Sequence, residues 1–188
     1  MTSQRKVGFL AFDAVNALGL RTLRETDQAA MWTGWQDPEV QKSWREGEQA
    51  QNTLEDVQAF IFFSRGQGQT KRDLVIDWQG QFVGMFSWQD GAGIWSANTE
   101  ISYWMLPAWR KKGLGSAAVN LGLNYLFSKR QVHRVSALVS ADNIGSMRLL
   151  ASVGMRREAC LTQALRIQKQ YQDAVIFRLL RQEFASTQ

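Results

Sequence analysis

The segment Arg110-Lys111-Lys112-Gly113-Leu114-Gly115-Ser116 puts three cations and two glycines directly ahead of a stretch with helical apolar spacing. The first N–H groups of a helix have no partner within it and carry partial positive charge, so they attract phosphate. Glycine lets the backbone come close to such a ligand. A diphosphate is the anion this arrangement suits. Two known phosphate motifs compete. The P-loop needs Lys followed by Ser or Thr after its second glycine, and that pair is absent. Gly113-Leu-Gly115-Ser-Ala-Ala118 formally fits the dinucleotide pattern G-x-G-x-x-A, with Asp142 after the next strand. Against it, Pro-Ala-Trp-Arg-Lys-Lys separates the turn from its strand, and the elements ahead of it read as antiparallel. Elsewhere, Asn143 reads as the cap of another helix. His133 opens a strand and reads as structural, and Cys160 has no histidine nearby in sequence and reads as a buried, inert thiol.

The elements that must position this turn are legible in outline. Leu20–Arg24 reads as a short strand, and Glu25-Thr26-Asp27 as a helix start with acid in its first turn, leading into a helix over 29–35. Asp37-Pro38-Glu39 starts a second short helix, and Thr53-Leu54-Glu55-Asp56 caps a third that runs through Phe63. Segments 73–78, 82–88 and 100–106 form an antiparallel meander stopped by Pro107. A helix over 115–129 follows, with Lys129 and Arg130 at its carboxyl end. The strand over 133–140 must run parallel to 100–106, because a helix links them. A helix over 143–153 closes on Gly154, and two strands near 156–165 and 171–181 end the chain. The expected architecture is one α/β domain over residues 1–188, its core about 18–184, with a single sheet of mixed direction.

Composition sets the outer bounds. With 188 residues, 45% hydrophobic and 21% charged, the chain reads as one globular domain. One cysteine and one histidine exclude a disulfide framework and a cysteine- or histidine-built metal cluster, so no metal is expected. No apolar run approaches the roughly 18 residues of a membrane span. Met1-Thr-Ser-Gln-Arg-Lys6 lacks the features of a signal peptide, so a cytoplasmic protein is the expectation. Residues 1–104 carry 9 basic and 13 acidic side chains, and residues 105–188 carry 13 basic and 4 acidic. The basic half suits an anionic ligand, although such charges also simply solvate a surface. No nucleic-acid-binding signature is present, and nucleic acid is not an expected partner.

Arg110-x-x-Gly113-x-Gly115 resembles the acetyl-CoA loop, Q/R-x-x-G-x-G/A, of the GNAT acetyltransferases. Asn143-Ile-Gly-Ser146, with Leu149 and Gly154-Met155, resembles the next helix of that family. His133-Arg134-Val135, Glu158, Leu20–Asp27, Asp37-Pro38-Glu39 and Asp173 resemble its RimJ/RimL branch, which acetylates protein N-terminal amines. The likeness runs from about residue 20 to the end. It departs at Met155, where Phe is usual, and at Ala159, where the branch has Gly. The stretch Thr162-Gln-Ala-Leu165 lacks the usual basic residue and any acid, which bears on the acceptor side rather than the cofactor side.

The resemblance implies a GNAT-like fold: a mixed, mostly antiparallel sheet with a central, splayed parallel strand pair, flanked by helices. It implies acetyl-CoA as cofactor and direct attack of an amine on the thioester. Arg110, Lys111, Lys112, Gly113, Leu114, Gly115 and Ser116 would hold the diphosphate. Met105 and Leu106, at the end of a kinked strand, would offer backbone N–H groups to the pantetheine and the carbonyl. Asn143 would also bond the pantetheine amide. Glu100 is the candidate base, directly or through water, and Ser146 the candidate acid for the departing thiolate. Trp32, Trp35 and Trp44 lie in the helices where the family builds its acceptor groove. The acceptor could be a protein or peptide N-terminus or a small amine such as an antibiotic or polyamine. A non-catalytic CoA- or dinucleotide-binding module is a third reading. Monomer and homodimer both stay open.

Overall fold

Eight strands form one sheet, in the order β1-β2-β3-β4-β5-β6-β8-β7. The computed structural model describes residues 9–13, 17–42, 53–68, 70–167 and 169–185. Its strands are β1 (Phe9–Asp13), β2 (Leu18–Thr22), β3 (Lys71–Trp78), β4 (Gln81–Asp90), β5 (Asn98–Met105), β6 (Arg134–Ser140), β7 (Arg156–Ile167) and β8 (Gln170–Leu180). The helices are α1 (Gln28–Trp35), α2 (Pro38–Gln41), α3 (Leu54–Arg65), α4 (Leu114–Ser128), α5 (Ile144–Ser152) and α6 (Arg181–Ala185). Every neighbouring pair of strands is antiparallel except β5 and β6, which run parallel across the α4 connection.

Each face of the sheet carries its own core. Leu18, Leu20, Leu74, Ile76, Phe86, Ile101 and Val135 meet Ala118, Val119, Leu123 and Leu126 of α4 on one side. Leu23, Met31, Val57, Ile61, Val75, Met85 and Leu106 pack together on the other, where α1 and α3 lie. Period-2 alternation of side chains along the central strands feeds both. Gly34 of α1 sits so close to β5 that an added Cβ would meet the Trp104 ring at 2.3 Å.

Local signals start the helices as expected. Asp37 accepts the N–H groups of Glu39 and Val40 ahead of Pro38. Thr53 and Asp56 form a reciprocal capping box at α3. Gly154, at φ 86°, follows α5 in the left-handed region that glycine tolerates. The N-terminal strand β1 was not anticipated, because Phe9-Leu-Ala-Phe-Asp13 shows no alternation and is held by pairing with β2. Strand β2 lies two residues earlier than its sequence signal. Leu23 is buried beyond its end, and the Arg24 N–H turns to the Asp27 carboxylate at 2.8 Å.

Asp27, which the sequence marks as an acid at a helix start, also has a role in the tertiary structure. It is 5% exposed and bonds Arg21, which is itself 2% exposed. Arg21 also reaches Asp77 of β3, 2% exposed, at 2.7 Å. Burial opposes the charge on Arg21, but hydrogen bonds to Asp27 and Asp77 outweigh it and raise its pKa above the ordinary value. The group ties β2, β3 and the turn before α1. Removing one member of a buried ionic group strands the others. Asp77→Ala should lower unfolding free energy by about 3–5 kcal/mol, measured by denaturant titration.

Candidate active site

Strands β5 and β6 pair only at Asn98↔Arg134, Thr99↔Val135 and Glu100↔Ser136. Beyond that rung each is held on its far side alone. β4 stays with β5 up to Gly84↔Met105, and β8 stays with β6 up to Ser140↔Ala174. The two strands therefore splay, and the backbone between them is open. N–H groups alternate in direction along a strand. The Leu106 N–H is donated to Val83 O at 2.9 Å. Leu106 is thus a correction: its amide is already committed to β4. The Met105 N–H, one residue earlier, points toward the opening.

The glycine turn lies at the same place. A turn of 3-10 helix over 107–109 carries the chain from β5, and Lys111 and Gly113 both take positive φ, 59° and 79°. Gly113 is the N-cap of α4 and has no side chain to satisfy the first N–H groups of the helix. No heavy atom outside its chain neighbours lies within 4 Å of where its Cβ would stand. The N-terminus of α4 thus faces open space with its N–H groups uncapped, which is the geometry an anion needs. A Cβ on Gly115 would meet Leu149 at 3.0 Å and Met105 at 3.6 Å, so α4, α5 and the end of β5 converge here.

The cations divide into two uses. Arg110 points back into the protein: its Nε donates to Met105 O at 3.0 Å, and its guanidinium pairs with Asp37. It fastens the turn to α2. Burial raises the Asp37 carboxyl, but the hydrogen bond and charge of Arg110, with the N–H groups of Val40 and Glu39, hold it below the ordinary carboxylate value. Lys111 and Lys112 are exposed, and Lys112 Nζ rests 4.7 Å above the Trp109 ring. Both therefore place positive charge at the exposed start of α4. Several other arginines of the basic half are paired: Arg130 with Asp90, Arg134 with Glu158, and Arg156 and Arg178 with Glu183.

On the other side of the opening, Asn143 accepts the Ser146 N–H at 3.0 Å and caps α5. The Ser146 hydroxyl lies 2.8 Å from the Tyr103 hydroxyl of β5. Tyr103 carries no sequence motif; its only signal is that it shares a strand face with Ile101 and Met105. Burial pushes its phenol up to about 12, against a lowering hydrogen bond from Ser146. Glu100 is exposed on the opposite face of β5, the face of Ser102 and Trp104, beside exposed Gln89 and 44% exposed Leu138. Trp32 and Trp35 are half-buried against the second core, and Trp44 lies outside the described residues. Glu158 is an ion-pair partner of Arg134, and Asp173 accepts the Gln163 N–H at 2.9 Å. That bond spans the bulge between Leu161 and Leu165, where the sequence departs from its expected pattern. Cys160 corrects another expectation: it is exposed on the edge strand β7. His133 is exposed, and its carbonyl receives the Arg181 N–H. Among the described residues no cluster of metal-ligating side chains occurs, and no helix is long and apolar enough to cross a membrane.

Comparison with known proteins agrees with this geometry. Residues 17–156 match the family described as acetyltransferase (GNAT) domain. An uncharacterized N-acetyltransferase of Bacillus subtilis (strain 168), YnaD, is 26% identical over 165 residues, 88% of this chain and 94% of its own. RimJ of Mycobacterium smegmatis, solved with CoA-disulfide, superposes with a TM-score of 0.76 at 24% identity, over 90% of this chain and 88% of its own. Spermidine N-acetyltransferase of Vibrio cholerae, solved with CoA and spermine, gives 0.78 at 19% identity, over 90% and 98%. At these identities the two structures speak for the fold.

Two expectations follow for the turn. Gly113→Trp should abolish CoA binding in calorimetry while the protein stays folded, because it strains a positive φ and covers the helix end. Asp37→Ala should release Arg110, lower Tm at pH 7 and weaken CoA several-fold. Since the folded pKa of Asp37 lies below its unfolded value of about 4, the pair stabilises at neutral pH and is lost as pH falls through the folded value. The Tm gap to wild type should therefore close only in acid.

Proposed function

This chain belongs to the GNAT acetyltransferase family and is an acyltransferase that uses acetyl-CoA; from that premise we propose that its acceptor is the α-amine of a protein or peptide N-terminus. When bound, acetyl-CoA supplies an acetyl thioester whose carbonyl carbon an amine can attack. The residues at the opening suit it. In this reading the uncapped N–H groups of Leu114, Gly115 and Ser116 hold the diphosphate, with Lys111 and Lys112 beside them. The Met105 N–H polarises the carbonyl. Asn143 bonds the pantetheine amide and Ser146 presents a hydroxyl to the departing sulfur.

The face of β5 that carries Glu100 supports the choice of acceptor. It is open rather than enclosed, which suits the end of a chain. Along that face of β4, β5 and β6, Glu100 is the one carboxylate among the described residues. The nearby acids Asp37, Asp90 and Glu158 are each matched by an arginine. A polyamine with several charges needs several unmatched carboxylates; a single α-amine needs one. An α-amino group of pKa about 8 is also roughly one-tenth neutral at pH 7, so one carboxylate, directly or through water, suffices to take its proton.

Thiol release from acetyl-CoA should appear with peptides bearing a free N-terminus. It should be absent with the same peptides blocked there but carrying lysine. Turnover with spermidine or an aminoglycoside alone would overturn the acceptor assignment, and tight CoA binding with silence across the panel would favour a binding module. Glu100→Gln should lower kcat by roughly 10²-fold or more and leave CoA affinity unchanged.

A further inference from the structure

We propose that Tyr103 is a positioning residue whose hydroxyl turns the Ser146 hydrogen toward the cofactor sulfur. The inference rests on the reading of Ser146 given above and adds to it what aims the serine. Tyr103 leaves β5 after that strand has parted from β6, and its ring packs against the larger core. Its oxygen crosses the opening to the first turn of α5, 2.8 Å from Ser146 Oγ and 3.4 Å from Ser146 O. Thus the bond closes the gap between two elements that share no backbone ladder there.

Either hydroxyl can donate in this bond; as proposed, Tyr103 is the donor. Each hydroxyl has one hydrogen, and its oxygen can also accept. Both acceptors within reach of the Tyr103 hydrogen belong to Ser146. The buried phenol carries its hydrogen, and in the proposed arrangement it gives that hydrogen to Ser146 Oγ; the reverse arrangement would spend the Ser146 hydrogen on Tyr103. The Ser146 oxygen then receives one hydrogen from Tyr103, and its own hydrogen is directed elsewhere. The Ser146 N–H is already held by Asn143, so backbone and side chain of this residue are both fixed. A hydroxyl held in this way is preorganised for charge that develops next to it.

The step balances without a proton leaving either hydroxyl. The amine nitrogen bonds to the carbonyl carbon, the carbon–sulfur bond breaks with its electron pair on sulfur, and the surplus proton of the amine passes to Glu100 or water. Ser146 stabilises the thiolate by hydrogen bonding, and both hydroxyls end as they began. This refines the role of Ser146 from acid to aimed donor.

Binding of CoA and of desulfo-CoA at pH 9, where much of a thiol is ionised, tests the proposal without any acceptor. Wild type should prefer CoA about tenfold, the scale of a hydrogen bond to a charged group. Tyr103→Phe and Ser146→Ala should each lose that preference, keep desulfo-CoA affinity and keep Tm. The double variant should lose no more than either one, and Ser146→Thr should retain the preference. A Tyr103→Phe protein that still prefers CoA, while Ser146→Ala does not, overturns the role of Tyr103 alone. Retained preference in Ser146→Ala overturns the donor reading and the proposal together. Should Tyr103→Phe prove unstable, Ser146→Ala and Ser146→Thr still decide whether the hydroxyl facing Tyr103 matters.

Discussion

After Glu100 and Ser136 the two central strands give up each other and keep only their outer partners. Backbone N–H groups inside a sheet that lack a neighbour are costly unless something supplies an acceptor. In this chain the opening is edged by the Met105 amide, the uncapped start of α4 and the hydroxyl pair of Tyr103 and Ser146. Every part of the site borders that one interruption of the ladder. A sheet paired along its full length would have no place for a thioester.

The opening stays open because other bonds carry the load. Asn98 donates to Ser136 at 2.9 Å and accepts from Arg134 at 3.1 Å, fastening the strands on the side where they still pair. Arg134 continues to Glu158 of β7. On the other side Arg110 holds Met105 and Asp37, which sets the glycine turn against α2. The Arg21 group keeps the start of α1 on β2 and β3. These pairs are partly or wholly withdrawn from water, where an ion pair fixes geometry more firmly than at the surface. Part of the basic character of the second half is therefore structural, while Lys111 and Lys112 stay exposed at the turn.

The proposed cofactor and acceptor sides draw on different faces of the same strand. Ile101, Tyr103 and Met105 look toward α4 and α5, whereas Glu100, Ser102 and Trp104 look toward the α1 and α3 side. The pleat separates the two sets by one residue. A single strand thus presents a hydroxyl on one face and a carboxylate on the other without crowding either, which is what the proposed roles of Tyr103 and Glu100 require.

The residues that the sequence alone placed correctly are those whose partners are near in the chain. Asp37 and Val40, Thr53 and Asp56, Asn143 and Ser146, and the left-handed Gly154 all follow from spacings of a few residues or from one backbone angle. Periodicity likewise located all the strands from β2 onward and the helices between them. Only the folded chain decided the rest. It joined Arg110 to Asp37 and Tyr103 to Ser146, buried Asp27, exposed Cys160 and committed the Leu106 amide to Val83. Those pairings join residues many positions apart, and no local pattern records which side chain a sheet will bring to face another.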